Sequence, residues 1–176
     1  MAFDSYIQIS GVEGQSTDSA HSAWIDVISF KHGSAQETKF TNNTNAIGRG
    51  VMEPFIFVHL LDKATPLLQK FCMSGQNIET VKFEVCAQIG GGKQKVYEVD
   101  MKNARVVEAQ VITVDATLTK DTLLAGVGRD SSAVRLVEQI SLIADEYKWT
   151  THTFKSTGEL AGDVAGGWNV GTDTAL

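Results

Sequence analysis

The chain is poor in the features that mark secreted, membrane-spanning and nucleic-acid-binding proteins. It contains two cysteines and two prolines in 176 residues, and it has no run of about 18 apolar residues that could cross a bilayer. Fifteen Lys and Arg stand against 21 Asp and Glu, so the formal net charge is −6. This balance predicts no basic face for nucleic acid. The opening residues, MAFDSYIQIS, lack the basic and apolar segments of a secretory signal.

The few cysteines and histidines also limit the chemistry that the sequence predicts. Cys72 falls in a helical pattern and Cys86 in a strand pattern, with no C-x-x-C, so two reduced, buried thiols are expected. The four histidines never pair as H-x-x-x-H, and their spacing predicts neither a metal site nor a cofactor. We therefore expect folding in a reducing cytoplasm.

Motifs for catalysis are equally scarce. The run GGGKQ, residues 90–94, lies between two strand patterns, whereas a phosphate-binding loop joins a strand to a helix. Ser19, His21, Ser22 and Asp26 are close in sequence but lack a nucleophile elbow, so a solvated loop is predicted there. His59 is predicted to be a partly buried strand residue. We expect no catalytic residues and no enzyme activity.

Alternating apolar residues predict β-strands over much of the chain. The clearest is ETVKFEVCAQI, in which Val81, Phe83 and Val85 share one face. A glycine turn then leads into KVYEVDM and predicts a hairpin. Further strands are predicted at 3–9, 23–30, 54–61 and 105–118, and residues 133–154 are expected to form one long strand or two paired strands.

Three segments lack this alternation and are predicted to be irregular. Residues 32–50 are small, polar and Asn-rich, which indicates an extended loop of the kind that is often functional. Residues 119–132 form a second loop with glycine joints. The tail, about 155–176, is small and polar, with Trp168 as its one large anchor.

One stretch, LLDKATPLLQKFCMSG, predicts a helix at about residues 65–74. Thr65 is expected to cap its N-terminus, Pro66 suits the first turn, and Gly75 suits the C-terminal stop. Helical spacing would place Leu67, Leu68, Phe71 and Cys72 on one apolar face.

The sequence thus predicts a mainly β, single-domain protein over residues 1–176. About seven to ten strands with hairpin connections and one helix favour an antiparallel β-barrel of two packed sheets with one flanking α-helix. The strand at 23–30 is apolar on both faces, which indicates a surface covered by another subunit.

Four motifs resemble the haemolysin-coregulated protein (Hcp) family, the tube proteins of bacterial type VI secretion systems. In order along the chain they are MAFDSYIQISGVEGQSTDSAH, WIDVISF, LLDKATPLLQKFCMSG and GGWNV. The family often has Glu where this chain has Gln15. The helix motif, with D-K-A-T-P, is the most recognisable of the four.

The resemblance implies a structural protein with no cofactor. Family members form hexameric rings that stack into the inner tube, carry small effectors in the lumen, and meet the sheath and tip protein. They are assembled in the cytoplasm and then secreted outside the cell or into target cells without a cleavable signal peptide. In a ring of this kind, we expect the 23–30 strand and parts of 105–118 to lie in the ring plane. The loops at 32–50 and 119–132 and the tail are expected to lie at the ring faces.

Nine residues are expected at subunit or ring interfaces on this basis. They are Trp24, Asp26, Lys31, Asn43, Arg49, Glu53, Leu124, Arg129 and Trp168. The alternatives are a stand-alone small-molecule-binding β-barrel, a phage-tail-tube-like protein, and a hydrolase that uses the His21 region.

Overall fold

The computed structural model describes residues 3–41, 44–115 and 134–176, which form eleven β-strands and one α-helix. The predicted loop at 119–132 lies outside these residues. The elements are β1 Phe3–Ile9, β2 Ile25–Lys31, β3 Ser34–Thr41, β4 Thr44–Met52, β5 Phe55–Leu60, α1 Thr65–Ser74, β6 Ile78–Ile89, β7 Gly92–Asp115, β8 Val134–Ile143, β9 Glu146–Phe154, β10 Leu160–Asn169 and β11 Thr174–Ala175.

Six strands close into an antiparallel barrel, which confirms the predicted fold class. The order β7-β6-β1-β2-β5-β8 returns to β7 because β8 pairs with β7 as well as with β5. The 24-residue β7 makes this closure possible. Its first half pairs with β6 and β9, and its second half, Arg105–Asp115, pairs with β8.

The predicted strands are mostly confirmed, with changes in how they connect. Residues 92–115 form one continuous strand, and the predicted β6–β7 hairpin is present, with Gly90 and Gly91 at its turn. Residues 134–154 form two strands, β8 and β9, and neither the one long strand nor the two paired strands that were expected. Their partners differ, because β8 and β9 pair with successive segments of β7 and not with each other.

Large apolar side chains fill the inside of the barrel. Val81 and Phe83 of β6 are fully buried, as their alternation predicts. The same core contains side chains from every strand of the barrel and from the helix. Among the largest buried side chains are Phe55, Phe57, Phe83, Ile7, Ile25, Met101, Ile140 and Leu142. Burying each of these contributes roughly 1.5–3 kcal/mol relative to leaving it exposed.

Helix α1 has the predicted ends but not the predicted cap. Gly75 follows it with φ 63°, a left-handed conformation that suits glycine. Residue 64 occupies the N-cap position without a side-chain cap bond, so the prediction of Thr65 as the cap is wrong. Thr65 is instead the first helical residue, and Asp62 accepts a hydrogen bond at Oδ1 from the Ala64 N–H, 2.9 Å away.

The packed face of the helix is narrower than predicted. Leu68 and Phe71 are buried in the core, and Cys72 packs against it from the side. Leu67 was expected on the same face but is 36% exposed, because the buried stripe centres on Leu68 and Phe71. Gln69 reaches inward and donates to Glu138 of β8 at 2.6 Å. The helix is therefore fastened to the barrel by apolar packing and by one buried polar contact.

Two segments predicted to be irregular are strands instead. Within 32–50, β3 and β4 pair with each other as a separate two-stranded sheet. Within the tail, β10 pairs with β9 and with the short β11. The tail strand β10 has almost no buried residue. The hairpin residues at 34–36 and 48–51 are exposed as well. A strand without a buried face needs no alternation of apolar and polar residues, and the sequence pattern did not reveal these strands.

Candidate subunit-interaction surface

A surface groove lies where the base of the β3–β4 hairpin meets the C-terminal strands. It has a volume of about 390 Å³ and is lined by Arg49, Val51, Met52, Trp149, Trp168 and Asp173, among others. We call this the hairpin groove. Its walls come from β3, β4, β9, β10 and the residues after β10, so only the folded chain assembles it.

Arg49 ties the hairpin to the C-terminal segment. Its Nη2 donates to the Val170 carbonyl oxygen at 2.8 Å, and its Nε lies 3.4 Å from Asp173 Oδ2. The Arg49 and Asp173 side chains are 60% and 46% exposed. An exposed ion pair of this kind contributes at most about 1 kcal/mol. Its structural effect is to hold the base of the hairpin beside Trp168.

Lys31 and Glu53 lie at the entry and exit of the hairpin. Their charged groups are 3.9 Å apart, and both side chains are about half exposed. The Glu53 N–H donates to the Gly33 carbonyl oxygen at 2.9 Å, which closes the base of the hairpin. The structure thus places four predicted interface residues, Lys31, Arg49, Glu53 and Trp168, on or next to the hairpin and its groove.

Trp24 and Asp26 lie elsewhere on the molecule. The half-buried Trp24 ring meets His21 edge-on, with centroids 4.9 Å apart. Asp26 is exposed on β2 and lines a different groove with Leu60 and Leu61. The other three predicted interface residues, Asn43, Leu124 and Arg129, are outside the described part of the chain.

Exposed apolar side chains that the sequence analysis did not select lie on several elements. Val164 on β10 is 70% exposed, Val51 on β4 58%, and Met73 on the helix 89%. Val107 of β7 and Ile143 of β8 are also over 40% exposed. Exposed apolar groups that are clustered mark contact surfaces in soluble proteins. The sequence signal that could have identified such a contact residue is an apolar side chain in a segment without a buried face, as at Val164.

The outer edge of β10 is open over most of its length. The strand pairs with β9 along one side, while β11 reaches only Trp168 and Asn169 on the other. Within the described residues, no strand pairs with this edge from Leu160 to Gly166, while the Gly167 carbonyl oxygen accepts from the Leu176 N–H at 3.1 Å. Such an edge is a template for pairing with another chain.

A second notable group surrounds His21, which is 4% exposed and not in a solvated loop as predicted. Its Nδ1 lies 2.7 Å from Asp18 Oδ1 and its Nε2 lies 3.0 Å from Glu84 Oε2. The ring stacks on Tyr6 at 4.1 Å. Hydrogen bonds from Lys93 and His21 hold the pKa of the Asp18 carboxyl well below its usual range. The chain folds back over β1 and β6 here, which brings together residues far apart in sequence.

A third group is enclosed inside the barrel. His59 was predicted to be a partly buried strand residue, and in the structure it is fully buried on β5. Its Nε2 lies 3.0 Å from Oε2 of the equally buried Glu138. The other oxygen of Glu138 accepts from Gln69 of the helix. This group joins two barrel strands to the helix.

The fold and these surfaces define a β-barrel protein that offers contact surfaces on its outside. A family model described as type VI secretion system effector, Hcp, matches residues 6–151. Protein hcp1 of Pseudomonas aeruginosa is 27% identical over 172 residues, which are 97% of this chain and 96% of that protein.

Solved structures give the same result. One described as a type six secretion system protein is 26% identical, with a TM-score of 0.82, and the match covers 99% of this chain and all of that one. Hcp1 from Salmonella typhimurium, at 19% identity and a TM-score of 0.75 over the whole of both chains, shows the shared fold. The chain belongs to the Hcp family of type VI secretion systems, a family of structural tube proteins.

The family assignment confirms the resemblance seen in the four sequence motifs. Hcp proteins are structural components of the secretion system and are not known as enzymes. None of the helices in the described residues is long and apolar enough to cross a membrane.

Proposed function

We propose that this chain is the repeating subunit of the inner tube, closing into hexameric rings that stack and carry small effectors in the lumen. The observation that carries the proposal is a closed barrel with two unlike outward features. One is the projecting β3–β4 hairpin with its groove, and the other is the open edge of β10. The barrel needs neither feature to complete its own core.

Unlike surfaces on one subunit are what ring formation requires. When one patch binds a different patch on the next copy, the contact is heterologous, and repetition with a suitable rotation closes a ring. In this proposal β2 and the second half of β7 lie in the ring plane, where Val107 and Ile143 expose apolar area. The hairpin groove and the tail lie at the ring faces.

Nine residues are proposed at these contacts, as expected from the sequence. Arg49 and Trp168 share the hairpin groove, and Lys31 and Glu53 lie at the base of the same hairpin. Asp26 lies on β2 and Trp24 precedes it. Asn43, Leu124 and Arg129 complete the set.

Negative-stain images of the purified chain, together with light scattering, test the ring directly. We expect six-fold rings and a particle mass of six chains at micromolar concentration. A monomer at that concentration would overturn the proposal and revive a stand-alone binding barrel. The packed interior of the described barrel residues already leaves little room there for a small molecule.

Substitution of Arg49 tests the hairpin groove. Arg49→Ala removes the contacts to Val170 and Asp173 and frees the hairpin base. We expect rings or stacks of this variant to form only at about tenfold higher protein concentration than those of the unaltered chain. A factor of ten corresponds to a loss of about 1.4 kcal/mol of assembly free energy. The matched control is Lys63→Ala, which also breaks one exposed ion pair, Lys63–Glu13, but lies away from the groove. Equal assembly of both variants would remove Arg49 from the interface.

Secretion and partners are part of the same proposal. Subunits assemble in the cytoplasm, contact the sheath and tip protein as a tube, and leave the cell with it, without a cleavable signal peptide. We expect the intact chain in the medium of secreting cells and its retention in cells that lack the sheath. Export that does not need the sheath would contradict this route.

A further inference from the structure

We propose that His21, Glu84 and Cys86 form a zinc-binding site that fastens the segment before β2 to the outside of the barrel. One ring nitrogen of His21, a Glu84 carboxylate oxygen and the Cys86 Sγ all lie within 4.8 Å of one another. Imidazole, thiolate and carboxylate are the ligand types that Zn²⁺ takes in proteins, and a solvent molecule completes a tetrahedral site. This proposal stands apart from the ring-forming function.

The three ligands come from two parts of the fold that the backbone holds rigidly together. Glu84 and Cys86 are two residues apart on β6, and their β1 partners are Tyr6 and Asp4. His21 comes from the segment between β1 and β2, which folds over this face. Both His21 and Cys86 are under 5% exposed. The site is therefore largely assembled before any ion enters.

Local hydrogen bonds fix the position of the His21 segment. The Gly14 N–H donates to the Ala23 carbonyl oxygen at 2.8 Å, and the Trp24 N–H donates to the His21 carbonyl oxygen at 3.1 Å. A Cβ on Gly14 would lie 2.2 Å from the Trp24 carbonyl oxygen, so only glycine fits this close approach.

Asp18 supplies the outer support that zinc-binding histidines usually have. Its Oδ1 accepts from His21 Nδ1 at 2.7 Å, which leaves Nε2 directed at Glu84. A carboxylate on the far nitrogen orients the ring and makes the ligating nitrogen more basic. Stacking on Tyr6 at 4.1 Å holds the ring plane as well.

The lysines beside the site occupy the carboxylate oxygens that face away from His21. Lys93 contacts Asp18 through Oδ2, while His21 uses Oδ1. Lys95 contacts Glu84 through Oε1, while His21 uses Oε2. A cation at Nε2 and Oε2 can thus enter without displacing either ammonium group.

Metal entry replaces protons at this site. Both ring nitrogens of His21 lie within hydrogen-bond distance of carboxylate oxygens, Nδ1 of Asp18 and Nε2 of Glu84. Zn²⁺ takes the place of a proton between His21 Nε2 and Glu84 and of the Cys86 thiol proton, and both protons pass to solvent.

Only a small movement brings the ligands to bonding distance. Zinc bonds of about 2.0–2.3 Å place tetrahedral ligand atoms about 3.3–3.7 Å apart. The His21 Nε2 and Glu84 Oε2 are already 3.0 Å apart. The ligand atoms, now within 4.8 Å of one another, would have to approach by about 1 Å at most.

Cobalt titration of the chelator-treated, full-length protein tests the site. Co²⁺ replaces Zn²⁺ and reports on its ligands, because a bound thiolate gives a charge-transfer absorption band. We expect one Co²⁺ per chain with that band, its loss on addition of Zn²⁺, and a higher melting temperature with Zn²⁺ than with Mg²⁺. Absence of the band in the unaltered chain would overturn the proposal.

Matched variants assign the ligands. Cys86→Ser should abolish the band, whereas Cys72→Ser, which alters the other free cysteine, should keep it. Glu84→Gln should weaken Co²⁺ binding at least tenfold, with folding checked by circular dichroism. A band that survives in Cys86→Ser, or that is lost equally in Cys72→Ser, would contradict the assignment.

Discussion

At the scale of single residues, Glu138 shows what a buried polar side chain does in this barrel. It has no exposed surface, yet both of its oxygens have partners, His59 at 3.0 Å and Gln69 at 2.6 Å. Buried polar groups are costly when they lack partners and acceptable when all are satisfied. The hydrogen-bonded group of His59, Glu138 and Gln69 links β5, β8 and the helix more specifically than apolar packing alone would.

Removal of Glu138 should therefore destabilise the fold strongly. Glu138→Ala leaves the His59 Nε2 and the Gln69 amide without their acceptor inside the barrel, and we expect the free energy of unfolding to fall by about 3 kcal/mol. Urea denaturation measures the change. The control is Glu13→Ala, which removes a 78% exposed carboxylate paired with Lys63 and should cost under about 1 kcal/mol. Similar losses in both variants would contradict this account.

Asp18 should make stability depend on acid. Hydrogen bonds from Lys93 and then from His21 lower the pKa of its carboxyl in the folded state, below the value of about 3.9 in an unfolded chain. A lowered folded pKa gives stability that is fully present above the unfolded pKa. This stability is lost as pH falls from the unfolded pKa through the lower folded pKa. We expect Asp18→Asn to be less stable at neutral pH and to lose less stability between neutral pH and about pH 3.

Urea midpoints measured across this pH range provide the comparison. The control is Asp173→Asn, an exposed partner of Arg49 whose ion pair is screened by solvent. It should follow the acid dependence of the unaltered chain. An Asp18→Asn variant with that same acid dependence would count against the Lys93 and His21 contacts as its cause.

At the scale of elements, the helix depends on how it ends. Gly75 has φ 63°, and a Cβ there would meet nothing within 4 Å. Gly75→Ala should therefore cost about 1 kcal/mol from backbone strain alone, which lowers the melting temperature by about 2–4 °C in a chain of this size. Calorimetry measures the shift.

A second glycine provides the control that distinguishes backbone strain at Gly75 from a general effect of replacing glycine by alanine. Gly166 on β10 also has open space at the Cβ position, but its φ lies outside the left-handed region. Gly166→Ala should leave the melting temperature unchanged or raise it slightly, because alanine restricts the unfolded chain. If both variants melted alike, backbone conformation would not explain the helix end.

At the scale of the whole molecule, the β3–β4 hairpin is structurally separate from the barrel. Its strands pair only with each other, and Met52 is its only residue that packs against the main core among the described side chains. Replacing residues 38–47 by an Asn-Gly turn should leave the melting temperature of the monomer within about 2 °C, because the hairpin strands pair only with each other and add no strand to the barrel.

The same deletion should abolish tube assembly if the hairpin makes ring-to-ring contacts. Electron micrographs of the shortened chain should show monomers or single rings without stacks. The paired control is Lys63→Ala, which retains the hairpin and lies away from the hairpin groove. Unchanged tubes after the deletion would remove the hairpin from the proposed assembly.

The sequence by itself determined the elements whose signals are local. Strand β6 follows from the alternation of Val81 and Phe83, and the end of the helix follows from Gly75. Period-two alternation and helix stops act over a few residues, so they are readable without knowing the fold. The four family motifs and the predicted barrel class were also recognised from local sequence patterns.

Only the tertiary structure decided the features that join distant parts of the chain. Strand β10 has no buried residue, the hairpin strands pair only with each other, and neither segment shows the alternation of a half-buried strand, so both were expected to be irregular. The hairpin groove joins Arg49 to Trp168, and the zinc-site proposal joins His21 to Cys86. These groups exist because strand pairing and chain reversal bring separate segments together, and no spacing along the sequence encodes that proximity.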